Sequence, residues 1–181
     1  KDALERWTID DSAELYGIDH WGANLFGINK QGHATVLGHG ACPDIDLKQL
    51  INDIRAHGLK TPVLIRFTDI LKARLSEIHG AFMSAFKDNN YTGKYLGVYP
   101  IKVNQHRHIL EDIVSFGSEF NFGLEAGSKP ELLLAIAHQS NPEAVIVCNG
   151  FKDRDYIETA LRARQLGQNI FIVIERPAEL E

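Results

Sequence analysis

The stretch VYPIKVNQ, residues 98–105, joins an apolar run to the polar start of a helix. Residues 95–103 are rich in β-branched and aromatic side chains, which is typical of a buried strand. Lys102 ends this run, and we expect it to be buried there. Burial of an ammonium group is costly, so desolvation favours the neutral amine, the form that attacks an aldehyde to give a Schiff base. Lys102 is therefore a candidate functional residue, although a lysine at a strand end also commonly reaches solvent or pairs with a carboxylate.

A short apolar run followed by an amphipathic stretch recurs from residue 62 onward. The predicted strands are Val63–Phe67, Tyr95–Ile101, Phe120–Leu124, Ala144–Cys148 and Ile170–Ile174. Helical spacing fills the intervals between them, and one helix has a capping box, Ser128 with Glu131, with Pro130 in its first turn. Strands that alternate with helices predict a parallel sheet with right-handed crossovers. The continuous apolar runs suit strands that are covered on both faces.

Two architectures fit this alternation, an open doubly wound sheet and part of a (β/α)8 barrel. A barrel needs eight βα units and about 250 residues. The chain has 181 residues and about five such units, so as a barrel it would be incomplete.

Residues 1–60 do not follow the alternating pattern. Leu25–Ile28 and Ala34–Leu37, joined by residues 29–32, predict a β-hairpin. Leu47–His57 predicts a helix with Asp44 or Asp46 near its start. We therefore predict two parts, an N-terminal extension over residues 1–60 and the βα units over residues 61–181.

Composition narrows the classes of function. The net charge of −5 gives no support to a nucleic-acid or membrane-surface role, and the longest apolar run, Leu132–Ala137, is far too short to span a bilayer. No signal peptide is visible, which predicts a cytoplasmic location. The two cysteines form no CxxC, and the eight histidines lack ligand spacing, so no metal-binding residues are predicted.

Ligands of both parallel architectures bind at the carboxyl ends of the strands. The polar residues predicted at those ends are Arg66, Lys102, Asn104, Glu125, Asn149, Lys152, Glu175 and Arg176. Lys102 and Glu125 follow neighbouring strands and predict a charge pair, with a structural salt bridge as the alternative role of Glu125. Residues 152–155 are interpreted as a solvated helix start, and no nucleotide-phosphate motif is present.

Three blocks, residues 98–107, 124–132 and 145–157, closely resemble the biosynthetic arginine decarboxylases of bacteria and plants, and residues 16–22 resemble the start of that family. The family is similar to ornithine and diaminopimelate decarboxylases, which have an alanine-racemase-like barrel and use pyridoxal 5′-phosphate. The resemblance implies an α/β fold: a partial (β/α)8 TIM-like barrel preceded by the small hairpin and helix extension.

The resemblance also implies an activity. Lys102 would carry pyridoxal phosphate, and Glu125 would be the acidic residue near the cofactor. The reaction would convert L-arginine to agmatine and carbon dioxide, which feeds putrescine and spermidine synthesis. Magnesium and a homo-oligomer, a dimer or tetramer, are also associated with the family. The remaining cofactor-binding residues would follow Glu181, so the chain by itself is expected to be inactive.

Three other functional interpretations are compatible with a Schiff-base lysine. One is a decarboxylase of the same fold for lysine, ornithine or diaminopimelate. Another is a non-catalytic pyridoxal-phosphate carrier or regulatory protein. The last is a class I aldolase that uses Lys102 directly and lacks pyridoxal absorbance.

Overall fold

The computed structural model describes residues 6–38 and 42–180, and the chain divides into two compact units, Lys1–Phe67 and Thr68–Glu181. The described elements of the first unit are α1 (Ile9–Leu15), α2 (Ile18–Trp21), β1 (Phe26–Ile28), β2 (Ala34–Val36), β3 (Ile45–Asp46) and α3 (Leu47–Ala56). The three strands form an antiparallel sheet in the order β1-β2-β3.

The predicted hairpin and helix of the first unit are confirmed. The side-chain carbonyl of Asn29 accepts hydrogen bonds from the backbone of Gln31 and His33, which closes the turn between β1 and β2. Of the two predicted cap residues, Asp46 caps α3, since its Oδ1 accepts from the N–H groups of Lys48 and Gln49. Its Oδ2 lies 2.7 Å from His33 Nδ1. This hydrogen bond is the main reason that the pKa of Asp46 falls to about 2.

The second unit contains a parallel sheet covered by helices. Its elements are α4 (Thr68–Asp88), β4 (Val98–Pro100), α5 (Arg107–Gly117), β5 (Gly123–Ala126), α6 (Lys129–His138), β6 (Val145–Cys148), α7 (Arg154–Gln165) and β7 (Asn169–Ile172), with short 3-10 helices at Ile101–Val103, Ser118–Phe120 and Pro177–Leu180. The strands pair in the order β4-β5-β6-β7. This order follows the chain without the reversal that defines a doubly wound sheet, so it favours the barrel of the two predicted architectures.

The apolar core of the second unit lies between this sheet and its helices. Leu124 on β5 and Ile146 on β6 are fully buried, as are Leu110 on α5 and Leu132 on α6. All four residues of β5 are buried, which agrees with the prediction of strands covered on both faces.

Two predicted strands differ from the structure. Val63–Phe67 is not part of a sheet, and Leu64 is 78% exposed. A strand exists only when a neighbour pairs with its backbone, and none does so among the described residues. The run Tyr95–Ile101 contributes only Val98–Pro100, after which the backbone turns into a 3-10 helix.

The start of α6 also differs in detail from its prediction. Pro130 lies in the first turn as expected, but the Ser128 side chain makes no capping bond to the helix backbone. Instead, Ser128 Oγ donates to Glu131 Oε1, and Glu131 Oε2 accepts from the N–H of Gly127. The glutamate therefore binds the turn before the helix, and neither of the two reciprocal hydrogen bonds of the predicted capping box is formed.

Candidate active site

The carboxyl ends of β4, β5, β6 and β7 lie along one edge of the parallel sheet. Lys102 lies in the 3-10 helix that follows β4, and its side chain is 64% exposed. The prediction that Lys102 is buried is therefore wrong, because the strand ends at Pro100 and the next turn directs the lysine outward. In this position the exposed amine is accessible to an aldehyde that arrives from solvent.

Glu125 on β5 is the carboxylate that faces Lys102. Lys102 Nζ is 3.8 Å from Glu125 Oε2, and the glutamate side chain is 6% exposed. Glu125 Oε1 accepts a hydrogen bond from Asn149 Nδ2 at 3.0 Å, whereas Oε2 is buried and has no hydrogen-bond partner. Buried carboxylate oxygens are normally hydrogen-bonded, so the Oε2 atom is an acceptor available to a donor at this position. The predicted pairing of Lys102 with Glu125 is confirmed.

Asn149 follows β6 and begins a tight turn with Gly150. The Asn149 N–H donates to the Ala126 carbonyl at 2.9 Å, which ties the turn to the end of β5. Gly150 has φ of +72°, and a Cβ atom at this position would lie 2.2 Å from the Gly127 carbonyl oxygen. Only glycine fits this close approach of two backbones in a left-handed conformation.

Lys152 is not at the solvated helix start that the sequence indicated. Helix α7 does begin at Arg154, with Asp153 as its cap, but the Lys152 side chain is fully buried. Lys152 Nζ lies 3.1 Å from Glu179 Oε2 in the 3-10 helix Pro177–Leu180. Sequence reasoning missed this pair because its partners are 27 residues apart and share no local pattern.

The other residues predicted at strand ends have separate roles. Glu175 Oε1 accepts from the Gly150 N–H, and the guanidinium of Arg176 lies 3.6 Å from the centre of the Phe151 ring. The Asn104 side chain accepts from the N–H of His106 within its own loop. Arg66 belongs to the first unit.

Below the site, Tyr156 and Cys148 are buried and unreactive. The Tyr156 hydroxyl donates to the Ala126 carbonyl at 2.8 Å. Desolvation by burial is the main cause that raises the pKa of both the Tyr156 hydroxyl and the Cys148 thiol. Both groups therefore stay protonated at neutral pH, and neither serves as a base or nucleophile.

The donor set fits a pyridoxal cofactor in two respects. Lys102 supplies an accessible primary amine, and Glu125 supplies a buried carboxylate oxygen without a hydrogen-bond partner. Within residues 6–38 and 42–180, no group of three or more His, Cys, Asp or Glu side chains has an arrangement suited to a metal ion. No helix in the described part of the chain is both long and apolar enough to cross a bilayer.

Comparison with protein families assigns the class of protein. The family model described as the pyridoxal-binding domain of pyridoxal-dependent decarboxylases matches residues 73–181 of this chain. The chain belongs to this family, because the match extends over more than half of its length.

The relatives are more specific than the family. The chain is 52% identical to the biosynthetic arginine decarboxylase of Gloeobacter violaceus over 98% of this chain and 28% of that protein. It is 46% identical to the biosynthetic arginine decarboxylase of Trichlorobacter lovleyi, over 98% of this chain and 28% of that protein. The crystal structure of the biosynthetic arginine decarboxylase of Campylobacter jejuni matches with a TM-score of 0.84 and 39% identity, over 91% of this chain and 27% of that one.

These matches confirm both the family resemblance and the fold class, an α/β chain that forms part of a TIM-like barrel. The chain spans little more than a quarter of the length of these relatives.

Proposed function

We propose that this chain is the part of an arginine decarboxylase that carries pyridoxal 5′-phosphate, with Lys102 as the residue that binds the cofactor covalently. The observation that supports it most is the placement of Lys102 Nζ 3.8 Å from the buried Glu125 Oε2, at the ends of neighbouring strands of a pyridoxal-binding domain. The names of relatives that match 98% of the chain favour L-arginine as the substrate.

Each side chain has a role that follows from its contacts. Lys102 Nζ would condense with the cofactor aldehyde, for which its exposure is required. Bound pyridoxal phosphate supplies the electron sink for loss of carbon dioxide. Glu125 would hold the lysine nitrogen in place and accept a hydrogen bond at Oε2, while Asn149 fixes its other oxygen.

The finer features of the reaction are part of the same proposal. The products would be agmatine and carbon dioxide, and agmatine would enter putrescine and spermidine synthesis. We expect the longest natural form of the protein to be a dimer or tetramer, which light scattering measures directly. The magnesium requirement implied by the resemblance stays a prediction, measured by activity with and without a chelator.

The test of the proposed reaction is release of carbon dioxide by the longest natural form of the protein, supplied with pyridoxal phosphate. Arginine, ornithine, lysine and diaminopimelate are offered separately, and release from arginine alone is expected. Release from ornithine, lysine or diaminopimelate instead would identify that amino acid as the substrate. No release from any of them, with cofactor bound, would favour a non-catalytic carrier or a regulatory protein. No release together with no pyridoxal absorbance would favour a class I aldolase.

Matched lysine variants assign the result to the site. Lys102→Ala should abolish release, since it removes the amine that holds the cofactor. Lys129→Ala is the control, because Lys129 follows the next strand and, among the described residues, makes ion pairs only with the exposed Asp153 and Asp155. A Lys102→Ala variant as active as a functional Lys129→Ala control would contradict the assignment of Lys102.

A further inference from the structure

Lys152 and Glu179 form a buried ion pair beside the turn that begins with Asn149. The Lys152 Nζ and Glu179 Oε2 atoms are 3.1 Å apart, and the two side chains are 0% and 2% exposed. A buried pair of this kind stabilises a fold no more than two apolar side chains of the same size would, but its directed hydrogen bonds constrain the positions of its neighbours. The contacts of the Lys152–Glu179 pair therefore indicate which part of the chain the pair holds in place.

Both backbone polar groups of Gly150 depend on this pair. Lys152 Nζ donates a hydrogen bond to the Gly150 carbonyl. The Gly150 N–H donates to Glu175 Oε1 at 2.7 Å, and the backbone N–H of Glu175 in turn donates to Glu179 Oε2 at 2.9 Å. This last hydrogen bond is the main reason that the pKa of Glu179 falls to about 2, so the carboxylate is ionised at neutral pH.

We propose that Lys152 and Glu179 are positioning residues for the site: they fix the Asn149–Gly150 turn, and the turn holds Glu125 opposite Lys102. The link from the turn to the site is the 3.0 Å hydrogen bond from Asn149 Nδ2 to Glu125 Oε1, which leaves Oε2 facing Lys102. Together, these hydrogen bonds and ion pairs join residues at the carboxyl ends of all four parallel strands, β4 to β7. This inference rests on the proposed function, because Lys102 and Glu125 are its site.

The experiment measures the dissociation constant of pyridoxal phosphate for the longest natural form of the protein after cofactor removal. The variant is Lys152→Met with Glu179→Gln, which leaves no unpaired charge in the interior. We expect it to weaken cofactor binding about tenfold, the lower limit seen when outer hydrogen-bond partners of a metal site are removed. Hydrogen exchange should become faster at the Asn149 and Gly150 amides and stay unchanged at α5.

A double-mutant cycle with Glu125→Gln separates positioning from general destabilisation. If the pair acts through the Glu125 carboxylate, then adding the pair substitution to Glu125→Gln weakens binding by no more than about twofold further. The control is Ile113→Ala, a buried position on α5 outside these contacts. Its effect on binding should add fully to that of Glu125→Gln.

A second variant keeps the proposal testable if the pair substitution prevents folding. Glu175→Ala removes the acceptor of the Gly150 N–H at an exposed residue, and we expect the same lack of additivity with Glu125→Gln. Full additivity of these variants with Glu125→Gln, or unchanged exchange at Gly150, overturns the inference. The proposed function would still stand if Lys102→Ala abolished cofactor attachment, and it would fail if attachment persisted in that variant.

Discussion

Gly150→Ala is the substitution whose cost the structure defines most closely. A Cβ at this position would lie 2.2 Å from the Gly127 carbonyl oxygen, 0.8 Å inside the 3.0 Å limit of real Cβ contacts. Alanine in the left-handed conformation costs about 1–2 kcal/mol. Moving the two backbones apart adds about 1–3 kcal/mol, since it strains the packing and weakens the hydrogen bonds of Gly150 to Glu175 and Lys152. We expect a loss of about 2–5 kcal/mol in the free energy of unfolding.

Gly167→Ala is the matched control. Gly167 also has a positive φ, +96°, but a Cβ there meets nothing within 4 Å, so only the backbone cost of about 1–2 kcal/mol applies. The assay is urea unfolding monitored by far-ultraviolet circular dichroism, because both tryptophans of this chain, Trp7 and Trp21, lie in the first unit. Losses for the two alanine variants that agree within about 0.5 kcal/mol would show that the close approach of the Gly127 and Gly150 backbones adds no cost.

Three further predictions concern other side chains. Tyr156→Phe should lower the free energy of unfolding by only about 1 kcal/mol in urea titrations, since the carbonyl that loses the hydroxyl keeps a backbone N–H partner; a loss above about 3 kcal/mol would contradict this. The depressed pKa of Asp46, about 2 through its hydrogen bond to His33, stabilises the fold above the ordinary value of 3.8, and this contribution is lost as pH falls toward 2. Asp46→Asn should therefore be less stable than the natural protein at pH 6, with the difference in urea midpoints closing near pH 2, and a difference independent of pH would be the opposing result. Cys42 is exposed, whereas burial raises the pKa of Cys148, so a disulfide reagent should modify Cys42 rapidly and Cys148 only on unfolding; a fast reaction that persists in Cys42→Ser would contradict the burial of Cys148.

The sequence predicted the fold class because its signals are local and periodic. Apolar runs gave β5, β6 and β7 to within a few residues, and the spacing of apolar positions gave α4, α5 and α6. Val63–Phe67 failed because strand formation depends on a hydrogen-bonding neighbour, which composition does not encode. The two-residue β3 was missed because it is too short to show a period.

The sequence also predicted one part of the candidate site, the pairing of Lys102 with Glu125. Lys102 follows β4 and Glu125 lies near the end of the neighbouring strand β5, so the parallel pairing places the two side chains together. The exposure of Lys102 depends on the 3-10 helix after Pro100, which the apolar composition of the segment concealed. The Lys152–Glu179 pair joins two distant segments through tertiary packing, so no motif reveals it.

Borohydride reduction of the longest natural protein, loaded with pyridoxal phosphate, tests whether Lys102 carries the cofactor. Reduction fixes the cofactor to its lysine, and mass spectrometry of the peptides then locates it. We predict one pyridoxyl group, on Lys102, and none in Lys102→Ala. Labelling of a different lysine in the natural protein, with Lys102 unmodified, would rule out Lys102 as the attachment site.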